Sequence, residues 1–291
     1  MEKILNGKPV AKEIYQELKE EVAVLYDKGI VPRLSVFKVG KDPASEYYIQ
    51  NIQNRAQKIG VLADVITFET LAPQEELING IQKANKDPKI HGIMLQMPLP
   101  KQYDQNKVVI QIDPAKDIDG LHPVNIGKLV LGQKCFVPCT PSAVMELLKY
   151  YKIPTEGTRV VIIGRSSIVG LPLLNLLVQK KDGANATVSL CHSRSKNIRE
   201  ISKEADILIV AIGKSRFVDH TYISSKSIVV DVGINEIYDT DTKTNIFVGD
   251  VFYQDVLSTV QAITPVPGGI GTITTASLLK NVVEASQIKL G

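Results

Sequence analysis

The chain has 291 residues, 44% hydrophobic and 22% charged, which are the proportions of a globular protein rather than a disordered or fibrous one. At ~100–200 residues per domain, this length predicts two domains or one large one. Lys and Arg (34) barely exceed Asp and Glu (31), and a net charge of +3 offers no broad basic field for nucleic acid. Tryptophan is absent and aromatics make up 5%, so base-stacking surfaces are not expected either.

No apolar run approaches the ~18–20 residues of a membrane span. Residues 1–13 are too polar for a signal peptide. Cys135, Cys139 and Cys191 are odd in number and include no CxxC pair. A disulfide framework or metal centre is therefore not expected, and a reducing cytoplasm fits.

The elements alternate almost throughout. Residues 34–39 read as a buried strand. Asp42-Pro43 then opens a helix that should run to about Ile59 and stop at Gly60. A strand over 61–68, a helix over 75–85 and a strand over 90–96 follow, the last ended by Pro98-Leu99-Pro100. A short helix closes over 108–112, residues 113–125 read as loop, and 143–151 as helix. Strands over 158–163, 187–191 and 207–212 alternate with helices over 173–179 and 197–203. Strands over 227–232 and ending at Ile263 precede a final helix over 274–288. Such alternation predicts an α/β fold of βαβ units, hence parallel sheet. Pro138-Cys139-Thr140-Pro141 marks the expected boundary between a domain of 1–140 and one of 141–272, with helix 273–291 packing back on the first.

The most informative segment is 160–172, where a strand meets Gly164-Arg165-Ser166-Ser167-Ile168-Val169-Gly170-Leu171-Pro172 and then an apolar helix. A glycine turn before a helix N-terminus suits a pyrophosphate, which the helix N–H groups and dipole attract. The spacing is not GxGxxG, so a plain βα turn remains an alternative. NAD binding wants a carboxylate about 20 residues on, for the ribose 2′-OH. Here the next strand runs into His192-Ser193-Arg194-Ser195 without one. Hydroxyls and guanidinium groups suit a 2′-phosphate, so NADP is preferred over NAD.

Taken together, the residues resemble a known family. Val39-Gly40-x-x-x-Ala44-Ser45-x-x-Tyr48, Gln96-Met97-Pro98-Leu99-Pro100, Lys116-Asp117-Ile118-Asp119-Gly120 and Pro138-Cys139-Thr140-Pro141 occur in order. The 164–172 segment, Cys191-His192-Ser193-Arg194, Val230-Asp231-Val232-Gly233 and Thr264-Pro265-Val266-Pro267-Gly268-Gly269 follow. This set resembles the bifunctional methylenetetrahydrofolate dehydrogenase/methenyltetrahydrofolate cyclohydrolase proteins over nearly the whole chain.

The resemblance implies an N-terminal folate-binding catalytic domain, a C-terminal Rossmann domain, an active site in the cleft between them, and a homodimer paired through the Rossmann domains. It implies that Tyr48 stacks on the p-aminobenzoyl group, Asp119 holds the pterin, and Gln96 sits beside the one-carbon bridge. Arg165 and Ser193 would meet the 2′-phosphate of NADP, and Gly164, Ser166, Ile168, Gly213, Gly233 and Ile234 would complete the cofactor site. Pro265, Gly268 and Gly269 would border nicotinamide and folate.

One departure stands out. The family motif continues Tyr-x-x-x-Lys, and that lysine is its chief catalytic side chain; here the position is Ile52, flanked by Asn51, Gln53 and Asn54. Arg55 could share its face, but a guanidinium is too weak an acid for proton transfer near pH 7. A second departure, Thr272 in place of the usual proline, should alter loop stiffness more than chemistry. Oxidation of the methylene bridge needs mainly orientation. Hydrolysis of the resulting methenyl cation needs proton movement, which isoleucine cannot supply. The sequence therefore implies an NADP-dependent dehydrogenase weakened in its hydrolytic half. The alternative is a catalytically weakened member acting through ligand binding or partner association.

Overall fold

The computed structural model describes residues 3–240 and 243–288. The chain forms two compact units, residues 13–139 with 275–288 and residues 3–12 with 140–274. Among the described residues, no helix is long and apolar enough to cross a membrane.

Helix α1 (Gly7–Asp27) opens the chain. Val10, Ile14, Leu18, Val22 and Leu25 recur in it at helical spacing and are all buried, although the alternation expected above does not include this helix. Strand β1 (Arg33–Val39), helix α2 (Pro43–Ile59), strand β2 (Leu62–Phe68), helix α3 (Gln74–Lys86) and strand β3 (Gly92–Leu95) follow. The three strands form a parallel sheet in the order β2-β1-β3. Leu77, Ile78, Ile81 and Ala84 of α3 pack with Phe37, Ile93 and Leu95 into this unit's core. Two short helices, α4 (Gln105–Val109) and α5 (Pro123–Val130), flank the segment carrying Asp117 and Asp119. Pro123 sits in the first turn of α5, where its missing N–H costs nothing.

Helix α6 (Cys139–Tyr150) leads to β4 (Arg159–Ile163), α7 (Gly170–Leu177), β5 (Thr187–Cys191), α8 (Ile198–Lys203), β6 (Ile207–Val210) and β7 (Ile228–Asp231). An antiparallel hairpin of β8 (Asn235–Asp239) and β9 (Thr244–Val248) follows, unread in the sequence because half its residues are polar and its apolar ones, Ile237-Tyr238 and Ile246-Phe247-Val248, are consecutive rather than alternating. Helix α9 (Tyr253–Val256), strand β10 (Ala262–Ile263) and helix α10 (Ile270–Ile288) complete the chain. α7 and α10 both start earlier than the apolar pattern suggested, each beginning at the end of a glycine turn.

β10-β7-β6-β4-β5 form one parallel five-stranded sheet. Its inner strands β4, β6 and β7 are nearly continuous apolar runs, as a sheet buried on both faces requires. From β4 the chain moves outward to β5, then crosses back to β6 on the other side. That reversal makes the β4/β6 pair the topological switch point, beyond whose carboxyl ends ligands bind in open α/β sheets.

Candidate functional site

In the unit of 13–139 and 275–288, α2 is fixed at both ends. The Asp42 carboxylate accepts from Ser45 N at 2.8 Å and Ser45 Oγ at 2.7 Å, and Gly60 closes the helix at φ 83. Between these caps α2 carries Tyr48 and, one turn on, Ile52. The Tyr48 hydroxyl hydrogen-bonds Thr275 of α10; burial, with the charge of Asp119 adding to it, pushes this phenol above its ordinary range. Ile52 has 0% exposure. Arg55, the next cation along α2, lies over the Tyr15 ring at 5.6 Å.

Gln96 follows β3. Its Nε2 donates to Met97 O at 2.8 Å and to Ser45 Oγ at 3.4 Å. Its Oε1 is buried and has no hydrogen-bond partner among the described residues. A buried acceptor left unmade is costly, and a ligand N–H or water removes that cost.

Asp119 lies in a tight loop. Gly120 takes φ 69, and a Cβ there would stand 2.7 Å from Phe136 O and Pro138 N. Burial, then repulsion from Asp117, pushes Asp119 up to about 6, against a hydrogen bond from the Cys139 thiol. Asp117 is fully engaged with His122 N at 2.8 Å, Asn125 Nδ2 at 2.8 Å and Leu121 N at 3.2 Å. Asn281 of α10 braces the loop, donating to Ile118 O at 2.7 Å and Val137 O at 3.2 Å. Tyr48 thus lies within reach of the Asp119 charge, and Gln96 touches Ser45, three residues before Tyr48 on α2. The sequence analysis gives Thr275 and Asn281 no role and Cys139 only a place in a motif; Asn281 stands between Lys280 and Val282, with Glu284 three residues on, so nothing local marks it.

In the other unit, Gly164 ends β4 at φ 131, and a Cβ there would lie 2.1 Å from Ala211 O. A Cβ on Gly170 would lie 2.0 Å from Gly164 O. Two glycines therefore let the loop pack directly on the start of α7. Ser166 Oγ accepts from Val169 N at 3.1 Å, while Arg165, Ser166 and Ile168 are exposed. At the end of β5, His192 Nδ1 accepts from Arg194 N at 3.1 Å and Ser195 Oγ from His192 N at 2.9 Å. That turn leaves Ser193 and Arg194 exposed, with no carboxylate over 192–195. Gly213 follows β6 at φ 65, and Gly233 and Ile234 follow β7. Beyond β10, Gly268 O accepts from Gly7 N at 2.8 Å, and Gly269 packs on Pro265 O. The glycine cradle at the switch point and the cationic β5 end fit a dinucleotide carrying a 2′-phosphate.

Comparison with known proteins now decides the family. Residues 5–119 match the tetrahydrofolate dehydrogenase/cyclohydrolase catalytic domain, and residues 138–290 match the NAD(P)-binding domain of the same family. The chain belongs to the tetrahydrofolate dehydrogenase/cyclohydrolase family. The bifunctional protein FolD of Chlorobium phaeobacteroides is 47% identical over 286 residues, covering 97% of both chains. The solved FolD of Campylobacter jejuni matches with a TM-score of 0.92 at 39% identity, over 98% of this chain and 99% of that one. The Trypanosoma brucei enzyme, solved with NADP and an inhibitor, has a TM-score of 0.92 at 35% identity, over 99% of this chain and 98% of that one. Membership of the tetrahydrofolate dehydrogenase/cyclohydrolase family also gives the α/β architecture of both units its order, catalytic domain first and nucleotide domain second.

Proposed function

We infer that this chain is an NADP-dependent dehydrogenase that oxidises 5,10-methylenetetrahydrofolate to 5,10-methenyltetrahydrofolate in one-carbon metabolism. Hydrolysis of that product to 10-formyltetrahydrofolate is its weak half. The observation that carries the reading is the family match across both domains; Ile52 sets the balance between the two activities.

On this reading Asp119 accepts the pterin N–H groups, Tyr48 stacks on the p-aminobenzoyl ring, and Gln96 Oε1 offers a free acceptor beside the one-carbon bridge. Arg165 and Ser193 hold the 2′-phosphate. Gly164, Ser166, Ile168, Gly213, Gly233 and Ile234 pave the dinucleotide site, and Pro265, Gly268 and Gly269 border it. Bound NADP supplies the hydride acceptor. The protein's own part would be orientation of the two bound ligands, which accelerates such a step. Water addition to the methenyl cation needs a proton-transfer group, and the Ile52 side chain has none.

A ligand-holding member without chemistry is the second reading, and Ile52 is what favours it. Arg165, Ser193, Asp119, Gly268 and the unpartnered Gln96 Oε1 fit ligand binding on either reading, and the 47% identity to a bifunctional relative over nearly the whole chain favours the enzyme. We also propose a homodimer paired through the nucleotide domain, supported by the exposed Tyr238 and Phe247 of the β8–β9 hairpin, and a reducing cytoplasm, in keeping with an odd number of cysteines and no CxxC pair.

A paired assay tests the activity: methylenetetrahydrofolate oxidation with NADP and with NAD, and methenyltetrahydrofolate hydrolysis followed separately. Oxidation with NADP and slow hydrolysis are expected. No oxidation with either cofactor, in protein that still binds folate and NADP, would establish the second reading instead.

A further inference from the structure

Two aspartates at the sheet's carboxyl edge have no place in the chemistry above. Asp231 ends β7, and Asp250 follows β9. Both are buried, at 3% and 0% exposure. A buried carboxylate is expensive unless its oxygens are satisfied. Here the donors are neutral N–H groups. Asp231 accepts from Gly233 N at 3.0 Å, Asp250 N at 3.0 Å and Val251 N at 2.9 Å. Asp250 accepts from Ile212 N at 2.7 Å and Gly213 N at 2.9 Å on Oδ2, and from Lys214 N at 2.8 Å and Asn235 Nδ2 at 2.9 Å on Oδ1.

The two groups form a reciprocal clasp. A Cβ on Gly233 would lie 2.2 Å from the Asp250 carboxyl carbon, and one on Gly249 would lie 1.8 Å from Asp231 Oδ2. Each carboxylate therefore rests on the glycine beside the other aspartate. Thr264, just past β10, joins the same knot by accepting from Asp231 N at 2.8 Å. Burial and the charge of Asp250 hold Asp231 up at about 7, against its backbone hydrogen bonds.

The position of the clasp gives it meaning. Residues 212–214 follow β6, one of the two strands at the switch point, and Gly233 with Ile234 follow its neighbour β7. Three successive amides converging on one carboxylate make an anion nest. Asp250 fills that nest, so a phosphate is turned away from it. The start of α7, where Val169 provides no side-chain cap, stays open to one.

We propose that Asp250 is a positioning residue for the dinucleotide: its carboxylate ties the loop after β6 to the loop after β7 and so sets Gly213, Gly233 and Ile234 at the cofactor site. The inference rests on the NADP reading above. It adds a residue that touches no cofactor atom and acts through the backbone of those that do.

Asp250→Asn tests it. The amide keeps one acceptor but aims an NH2 at N–H donors, setting donor against donor. Asn235→Ala is the milder variant, removing a half-buried side chain that donates to Oδ1. Steady-state oxidation is measured with NADP and folate varied separately, and NADP binding by calorimetry. The KM for NADP should rise about tenfold or more in Asp250→Asn, and about threefold or more in Asn235→Ala, as loss of charge-assisted hydrogen bonds predicts. The KM for folate should stay within about twofold. Faster amide exchange at 212–214 should accompany the change. A merely structural role would shrink the folded fraction, lowering kcat with both KM values intact, and that result overturns the proposal. If Asp250→Asn does not fold, an unchanged NADP KM in Asn235→Ala overturns it as well. Wild-type protein that binds no NADP removes the underlying reading and the proposal together, whereas normal NADP affinity in both variants removes the proposal alone.

Discussion

Tyr48 and Ile52 stand one turn apart on α2, the first hydrogen-bonded through its hydroxyl to Thr275 and the second without any exposed surface. Residues so spaced share a helix face. The position where the sequence resemblance implies an amine is filled by four apolar carbons beside the group proposed to stack on folate. Arg55 does not substitute for it, because its guanidinium lies over Tyr15.

Ile52→Lys should therefore raise methenyltetrahydrofolate hydrolysis by about 10²–10⁴-fold, the usual worth of a positioned acid or base. The same change removes a fully enclosed aliphatic side chain and buries an ammonium, so thermal stability should fall by about 2–4 kcal/mol. Rates and melting temperatures of both forms check this. Brisk hydrolysis by the Ile52 form, or no gain in the Lys form, would show that the position does not govern the second activity.

Asp119 couples stability and binding to pH with opposite signs. Its folded value of about 6, and that of about 7 for Asp231, lie above the ordinary carboxylate range. The folded state therefore holds these protons more tightly than the unfolded state, and this contribution to stability is full below pH ~4 and lost as pH rises to ~7. Folate binding should run the other way, since only ionised Asp119 accepts from the pterin with both oxygens. Folate affinity should climb between pH ~5 and ~7 while the melting temperature declines. Asp119→Asn should flatten the binding curve and remove its share of the stability slope; an unchanged folate-binding profile in that variant would return Asp119 to a purely structural role.

Cofactor choice should depend on Arg165. Substitution by alanine removes a charge-assisted contact to the 2′-phosphate and should weaken NADP by about 1.5–3 kcal/mol while sparing NAD. Equal losses for the two cofactors, measured as KM ratios, would place Arg165 away from that phosphate.

Much of the α/β layout was legible because strands β4, β6 and β7 are short, continuous and apolar, and glycine or proline punctuates their ends. Helix α1 was equally legible, with Asn6 ahead of Gly7, Pro9 in its first turn and charged residues between apolar ones at helical spacing, yet the strand–helix alternation drawn above begins only at residue 34. In the proposed site, Asp119, Gln96 and Tyr48 are singled out through motif resemblance alone, since none is unusual as an isolated residue. Asp250 and Asn281 are not, because their work is to accept from or donate to backbone far away in sequence. Asp250 bonds residues 212–214, and Asn281 bonds Ile118 and Val137, links that no local pattern reveals.

That long reach makes Asn281 testable. It is 8% exposed, and its amide is shared between two carbonyls, Ile118 O and Val137 O, on either side of the loop that sets Asp119. A Cβ on Gly120 would stand 2.7 Å from Phe136 O, Val137 C and Pro138 N, so the two segments lie against each other with no room for a side chain, and their buried carbonyls need donors. Asn281→Ala removes the donor and leaves buried acceptors unmade, a change worth about 1–3 kcal/mol. The melting temperature should fall accordingly. Because the loop then loses its brace beside Asp119, the KM for folate should rise several-fold while the KM for NADP stays constant. Asn281→Asp should be worse than alanine, since it sets a carboxylate against two carbonyl oxygens. Folate affinity in Asn281→Ala equal to that of the parent protein, despite the lower melting temperature, would confine Asn281 to stability and free Asp119 from dependence on it.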